Sequence, residues 1–171
     1  MATNYMLMSS SSFSSDSSAS DDELSNRKLD LSYHDMDSDL LEFNLCESFQ
    51  RDEDDECADP IKTRVEKLLL YNNRLDIVCL QISFFGNLKV LDMSNNMIRQ
   101  LPDNLNELNF LEQLFVRNNL LTDDSFPKNM TGMARLREVN LSGNRLTELP
   151  LPLLEIPTIR NLFIGGNRIR A

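Results

Sequence analysis

The chain has 171 residues and a net charge of −10, and the excess acid is not spread evenly. Residues 1 to 60 hold 16 Asp and Glu against 3 Lys and Arg, whereas residues 61 to 171 hold 11 against 14, so no basic stripe remains that could track a phosphate backbone and nucleic acid is not an expected partner. No stretch approaches the ~20 apolar residues that cross a bilayer, and the amino terminus lacks both a basic n-region and an apolar run of signal length, which points to the cytoplasm or nucleus and to no membrane partner.

In chain order, residues 1–28 form a serine-rich acidic tail that cannot bury enough apolar surface to offset chain ordering, so disorder is expected. Within it, Ser18 and Ser20 stand three residues before Asp21 and Glu23, as in acidophilic kinase sites; a plain solubilising tail is the simpler reading. Residues 29–60 are an acidic segment. There Asp39 and Glu42 have the spacing of a capping pair, and Leu41, Leu45 and Phe49 recur at helical intervals, which predicts a short helix from about residue 39 to 50 that caps the amino-terminal end of the downstream domain. A linear motif for a partner is the alternative. Asp35-Met36-Asp37-Ser38-Asp39 starts like a calcium loop, but Leu40 stands where the sharp turn needs glycine and Cys46 where the bidentate glutamate belongs. The acid run Asp52 to Glu56 reads as a solvated spacer, and Cys46, Cys57 and Cys79 lack metal-ligand spacing, so no metal is expected.

From residue 61 onward one frame recurs. Aligned on Asn73, Asn96, Asn119, Asn144 and Asn167, the copies read VEKLLLYNNRL from Val65, LKVLDMSNNMI from Leu88, LEQLFVRNNLL from Leu111, LREVNLSGNRL from Leu136 and IRNLFIGGNRI from Ile159. Apolar residues hold positions one, four, six and eleven in all five. The alternation in the centre of each frame is that of a strand with one face in and one face out, so each copy adds one short parallel strand. The asparagine falls where the chain leaves the strand, and its amide can donate and accept at once, which suits a ladder that satisfies buried backbone groups on two sides. Between frames, Ile82 and Phe85, Leu105 and Leu108, Met130 and Met133, and Leu153 and Ile156 are placed to line the outer wall. This is the leucine-rich-repeat signature, and it predicts an α/β repeat solenoid over residues 61–171, a horseshoe of about five coils with a short parallel sheet on its concave face.

Catalysis finds little support in these residues. The one histidine, His34, lies outside the repeats, so no Ser/His/Asp or Cys/His arrangement can form among them, and there is neither a GxGxxG nor a GxxxxGK[ST] phosphate loop. A non-enzyme without cofactor is expected. The outward strand positions two, three, five, seven and eight give 25 residues, within the ~20 to 30 that a standard protein interface uses per side. Position five holds Leu69, Asp92, Phe115, Asn140 and Phe163; position seven holds Tyr71 and Arg117 among others. Aromatic and arginine side chains on the solvent side of a strand are the usual anchors of interfaces, so Leu69, Tyr71, Asp92, Phe115, Arg117, Asn140 and Phe163 are the predicted protein-binding residues. The expanded loop from Thr122 to Lys128 is the next candidate.

The frames with Leu101-Pro102 and Leu149-Pro150 resemble intracellular leucine-rich-repeat proteins of the Ras-suppressor-like kind. RNNLLTDDSFPKNM from Arg117, VNLSGNRLTELP from Val139 and LFIGGNRI from Leu162 resemble the leucine-rich repeat-containing protein 58 family. The resemblance covers roughly residues 60 to 171 and implies further repeats and a cysteine-containing region beyond Ala171, so a truncated product is expected, with an exposed apolar coil face in the 61–171 segment. It implies a cytoplasmic protein-binding scaffold or adaptor; the alternative is a substrate receptor of a cullin-type ubiquitin ligase, for which no adaptor-docking box is found here. The opposite charge signs of the two halves further allow residues 50 to 60 to lie across the repeats and screen them.

Overall fold

Frames that agree at four apolar positions build coils that stack in register, and the structure carries one coil more than the frames announce. In the computed structural model the described residues are 27–49 and 64–170. They contain one parallel sheet of six strands in sequence order: β1 (Lys28–Asp30), β2 (Lys67–Leu69), β3 (Val90–Asp92), β4 (Gln113–Phe115), β5 (Glu138–Asn140) and β6 (Asn161–Phe163). Equivalent frame positions pair throughout, Leu68 with Leu91, Leu91 with Leu114, Leu114 with Val139 and Val139 with Leu162. Such strictly local stacking is what a solenoid requires, because each coil finds its partners only in its neighbours.

Behind the sheet the chain returns through short turns of tight helix at Leu80–Phe84, Asp103–Glu107 and Asp123–Ser125, and through the four-residue helix α2 (Leu151–Leu154); helix α1 (Ser38–Phe49) does the same for the first coil. The return-arm pairs Ile82 and Phe85, Leu105 and Leu108, Met130 and Met133, and Leu153 and Ile156 are all buried, and they meet the inward strand residues in one continuous core. Pro102 and Pro150 stand at the N-cap positions of their turns, where φ of −77° and −67° suits proline and no ladder hydrogen bond is lost.

The first coil corrects the expected boundaries. Strand β1 starts at Lys28, inside the stretch assigned to the tail, and pairs with β2 through Lys28 and Lys67, 39 residues apart. Lys28 to Asp30 therefore belong to the sheet, and residues 31 to 36 continue the same coil within what the sequence presents as an acidic segment. Their frame is degenerate: Leu29, Leu31 and Met36 occupy positions four, six and eleven and are buried, but His34 stands where the other copies have asparagine. An alignment anchored on asparagine passes over it. Helix α1 is capped by Asp37, whose Oδ1 accepts the Leu40 N–H at 2.9 Å, rather than by the Asp39 and Glu42 pair. Its Leu41 and Leu45 are fully buried. The tail before residue 27, Phe49's packing, Cys57 and the acid run Asp52 to Glu56 lie outside the described residues and side chains.

The asparagines form a ladder. Each Nδ2 donates to the carbonyl of position six in its own coil and to that of position six in the coil before: Asn119 to Val116 at 3.1 Å and to Met93 at 3.0 Å, Asn144 to Leu141 and to Val116 at 2.9 Å each; Asn96 and Asn119 also reach the position-seven carbonyls of Ser94 and Arg117 at 3.2 Å. Each Oδ1 accepts the N–H of position eleven in the preceding coil: the Ile98 N–H donates to Asn119 Oδ1 at 2.9 Å and the Leu121 N–H to Asn144 Oδ1 at 3.0 Å. Asn73, Asn96 and Asn167 repeat the arrangement. One side chain thus joins two coils and covers polar groups that no strand partner reaches, which is why it is buried in the first four copies. In the first coil His34 supplies no such bridge; its ring Nδ1–H donates to the Ser32 carbonyl and its backbone N–H to Asn73.

Candidate protein-binding face

The concave face is the outward side of six three-residue strands, and its floor is frame position five. Read along the solenoid it alternates: Asp30, Leu69, Asp92, Phe115, Asn140, Phe163. The polar members share a device. Asp30, Asp92 and Asn140 each accept through Oδ1 the N–H of the serine two residues on, Ser32, Ser94 and Ser142, at 3.2, 2.9 and 3.0 Å. This Asx turn holds the polar side chain along its own strand. The intervening coils have no such acceptor and present Leu69, Phe115 and Phe163 instead, the last of them 46 % exposed. The repeat unit of this surface is therefore two coils, and the Leu101-Pro102 and Leu149-Pro150 pairs after the second and fourth frames follow the same rhythm.

Five of the seven predicted binding residues come together. Tyr71, Asp92, Phe115, Arg117 and Asn140 line one open basin of about 480 Å³ with Tyr33, Asn72, Ser94 and Asn95. Leu69 and Phe163 lie outside it on the same floor row. Tyr33 escaped sequence reasoning because the first coil did; its ring meets that of Tyr71 edge to face, with centroids 5.3 Å apart and planes at 84°. Arg117 is exposed and makes no ion pair among the described residues.

Position eight, counted among the outward strand residues, does a different job. Asn72, Asn95, Asn118, Gly143 and Gly166 all have positive φ, between 51° and 72°. The chain leaves each strand through the left-handed region, which asparagine tolerates and glycine accepts freely. That signal was present in the NN, NN, NN, GN, GN dipeptides. Asn118 Nδ2 donates to Asn95 Oδ1 at 2.7 Å, and a Cβ on Gly143 would lie 2.1 Å from Asn118 Oδ1, so these side chains serve the turn edge before any ligand. The expanded loop is likewise engaged internally: Ser125, Phe126 and Pro127 are buried, and the Ser125 carbonyl accepts the Leu101 N–H at 2.8 Å.

Along frame position two, Glu66 accepts from Arg27 Nη1 at 2.8 Å and Lys89 Nζ at 2.9 Å and so ties the first three coils together; these contacts, that of Lys89 foremost, hold its carboxyl below the usual carboxylate value. Burial pushes the Cys79 thiol up to about 12, which makes it an inert core group at neutral pH. Among the described residues no group of three or more His, Cys, Asp or Glu side chains is placed to hold a metal ion, and no helix is long and apolar enough to cross a membrane.

Comparison with known proteins agrees with this architecture. The Leucine Rich Repeat family model matches residues 87–108 and 135–155. Leucine-rich repeat-containing protein 58 of Xenopus laevis is 42 % identical over 97 residues, which is 57 % of this chain and 27 % of the relative, and the Xenopus tropicalis protein is 40 % identical over 97 residues. The chain thus spans about a quarter of the length of these relatives. Among solved structures, an LRR protein of Leptospira interrogans superposes with a TM-score of 0.57 at 28 % identity, covering 63 % of this chain and 26 % of that one. The ectodomain of the Arabidopsis thaliana receptor kinase GASSHO1/SCHENGEN3 superposes with a TM-score of 0.52 at 25 % identity, covering 63 % and 13 %. Repeats of this kind generally mediate protein–protein interaction and are typically not enzymes. With its in-register sheet, its asparagine ladder and its matched repeats, the described part of the chain folds as a leucine-rich-repeat solenoid.

Proposed function

We propose that this chain is a non-enzymatic, cytoplasmic scaffold or adaptor that binds a protein partner on the concave sheet, through Leu69, Tyr71, Asp92, Phe115, Arg117, Asn140 and Phe163. The observation that carries the reading is the solvent side of the sheet itself: apolar and aromatic residues recur on alternate strands, and the solenoid core uses none of them. An apolar residue placed outward on a regular strand is stabilised by nothing behind it, and such groups among hydrogen-bonding neighbours are the usual composition of an interface centre. A related ectodomain was solved in complex with CASPARIAN STRIP INTEGRITY FACTOR 2, which supports reading this kind of repeat as a recognition surface.

The test is affinity purification with the chain and with its Phe115→Ala, Phe163→Ala double variant. Both phenylalanines point away from the core, so the double variant keeps the circular dichroism spectrum and loses the chains that co-purify with the original. Recovery of the same chains with both proteins would remove the concave face from consideration.

A further inference from the structure

The alternating floor sets a length. Leu69, Phe115 and Phe163 stand on every second strand, so they recur each ~9.6 Å, twice the ~4.8 Å spacing of strands. An occupant that meets all three must show apolar side chains on one face at that interval. A β-strand returns to the same face each ~6.6 Å and misses it. An α-helix offers i and i+7 at ~10.5 Å, which is too long, because whatever lies inside a concave surface meets it at a shorter interval than the surface itself. A polyproline-II segment, with three residues per turn and ~3.1 Å per residue, returns each ~9.3 Å.

Charge supplies the second constraint. Of the polar floor residues, Asp30 pairs with Lys28 at 2.8 Å and Asn140 is neutral, whereas Asp92 makes no ion pair among the described residues. Its carboxylate shares the basin with the Tyr33 and Tyr71 rings, and the one basic residue of the lining, Arg117, stands on the next strand two residues beyond Phe115, the pairing partner of Asp92, and makes no ion pair with it. A half-exposed carboxylate beside aromatic rings favours a cation, through charge-assisted hydrogen bonding and through attraction to the ring faces.

We infer that the concave face takes a polyproline-II segment of a partner protein, with an apolar residue at every third position over Leu69, Phe115 and Phe163 and a Lys or Arg between the first two, on a flank of the segment from which its long side chain reaches Asp92. The inference rests on the concave-face reading and adds the chemistry of the occupant. The extended, preformed segment gives up little conformational entropy on docking, and aromatic and aliphatic ridges at its own pitch are the surface it fits.

Selection of random peptides about four polyproline turns long, displayed on phage against the whole chain, reads the preference directly. Enriched peptides are expected to carry apolar residues, proline among them, at i, i+3 and i+6, with a basic residue between the first two. Synthetic copies should bind Asp92→Asn about fivefold more weakly, the loss expected for one partly exposed charge pair. That variant keeps the oxygen that accepts the Ser94 N–H, so the local turn survives. Enrichment of a helical i, i+4, i+7 pattern, of peptides without period, or of no peptide at all would overturn the inference, as would a basic preference undiminished on Asp92→Asn. The Phe115→Ala, Phe163→Ala variant separates the two levels. If aperiodic peptides bind and lose affinity for it, only the polyproline assignment falls; if binders keep full affinity for it, the concave-face reading falls too.

Discussion

Leu29, Leu31 and Met36 in the first coil hold the same frame positions as Leu162, Ile164 and Ile169 in the last, yet the former are 7 %, 4 % and 0 % exposed and the latter are only partly buried. Both sets point inward from a strand. What differs is how much of the described chain covers them. In the first coil α1 folds over the return path and sets Leu41 and Leu45 into the core, and Ser38 Oγ donates to Asp76 Oδ1 at 2.7 Å to hold the helix start against the next coil. In the sixth coil Ile159, Leu162, Ile164 and Ile169 pack against the core only in part, and among the described residues the strand of this coil pairs with that of the fifth. The frame thus decides which way a side chain points, and the stack decides how much of it leaves water. Because burial scales the free energy, the same substitution should cost different amounts along the solenoid.

The largest expected effect compares leucines at one frame position. Leu91→Ala, at a site with no exposure and a coil on either side, should cost ~3–5 kcal/mol in a urea melt, while Leu162→Ala should cost roughly 1–2 kcal/mol. Equal costs would mean that burial by neighbours is not what distinguishes the ends. Next come the asparagines. Asn119→Ala strands the Ile98 N–H and the Val116 and Met93 carbonyls between two packed coils, for a loss of about 2–3 kcal/mol and faster exchange of the Ile98 amide. Asn167→Ala removes bonds at a half-buried site where water can replace them, so its loss should be about half as large, and an equal loss in both would sink the distinction.

The smallest effect concerns the Arg27, Glu66 and Lys89 contacts, which bind the first three coils and have no counterpart at that frame position among the last three described coils. Because Glu66 has its pKa lowered on folding, its contribution is present above the ordinary carboxylate value and is lost as pH falls through the folded one. Glu66→Gln should therefore be less stable than the original by ~0.5 kcal/mol at neutral pH, with the gap closing in acid and shrinking in high salt. A gap that stays constant from neutral to acid pH would exclude the ionised contact as its source.

Much of the architecture was open to reading from residues alone, for a physical reason specific to repeats. Each frame carries its own strand, its own inward leucines and its own asparagine, and each contact is with an adjacent copy, so knowledge of one frame transfers to the next. The readings that missed share a cause. The first coil has His34 in place of asparagine and is separated from the next frame by 39 residues, so it lacked the marker that made the others visible. Asp37 rather than Asp39 caps α1 because the helix starts one residue earlier than its apolar spacing implied.

The binding face divides along the same line. That Phe115 and Phe163 point outward followed from alternation within single strands, as did the inward course of Leu68, Leu91 and Leu114. That Tyr33 stands beside Tyr71, that Asn118 is committed to Asn95, and that Ser125 to Pro127 are buried in an expanded loop could only be decided by the stacked coils. Local alternation and turn chemistry act over a few residues and are written in each frame. Proximity between coils depends on how many coils there are and in what register they meet, and those are properties of the assembled sheet.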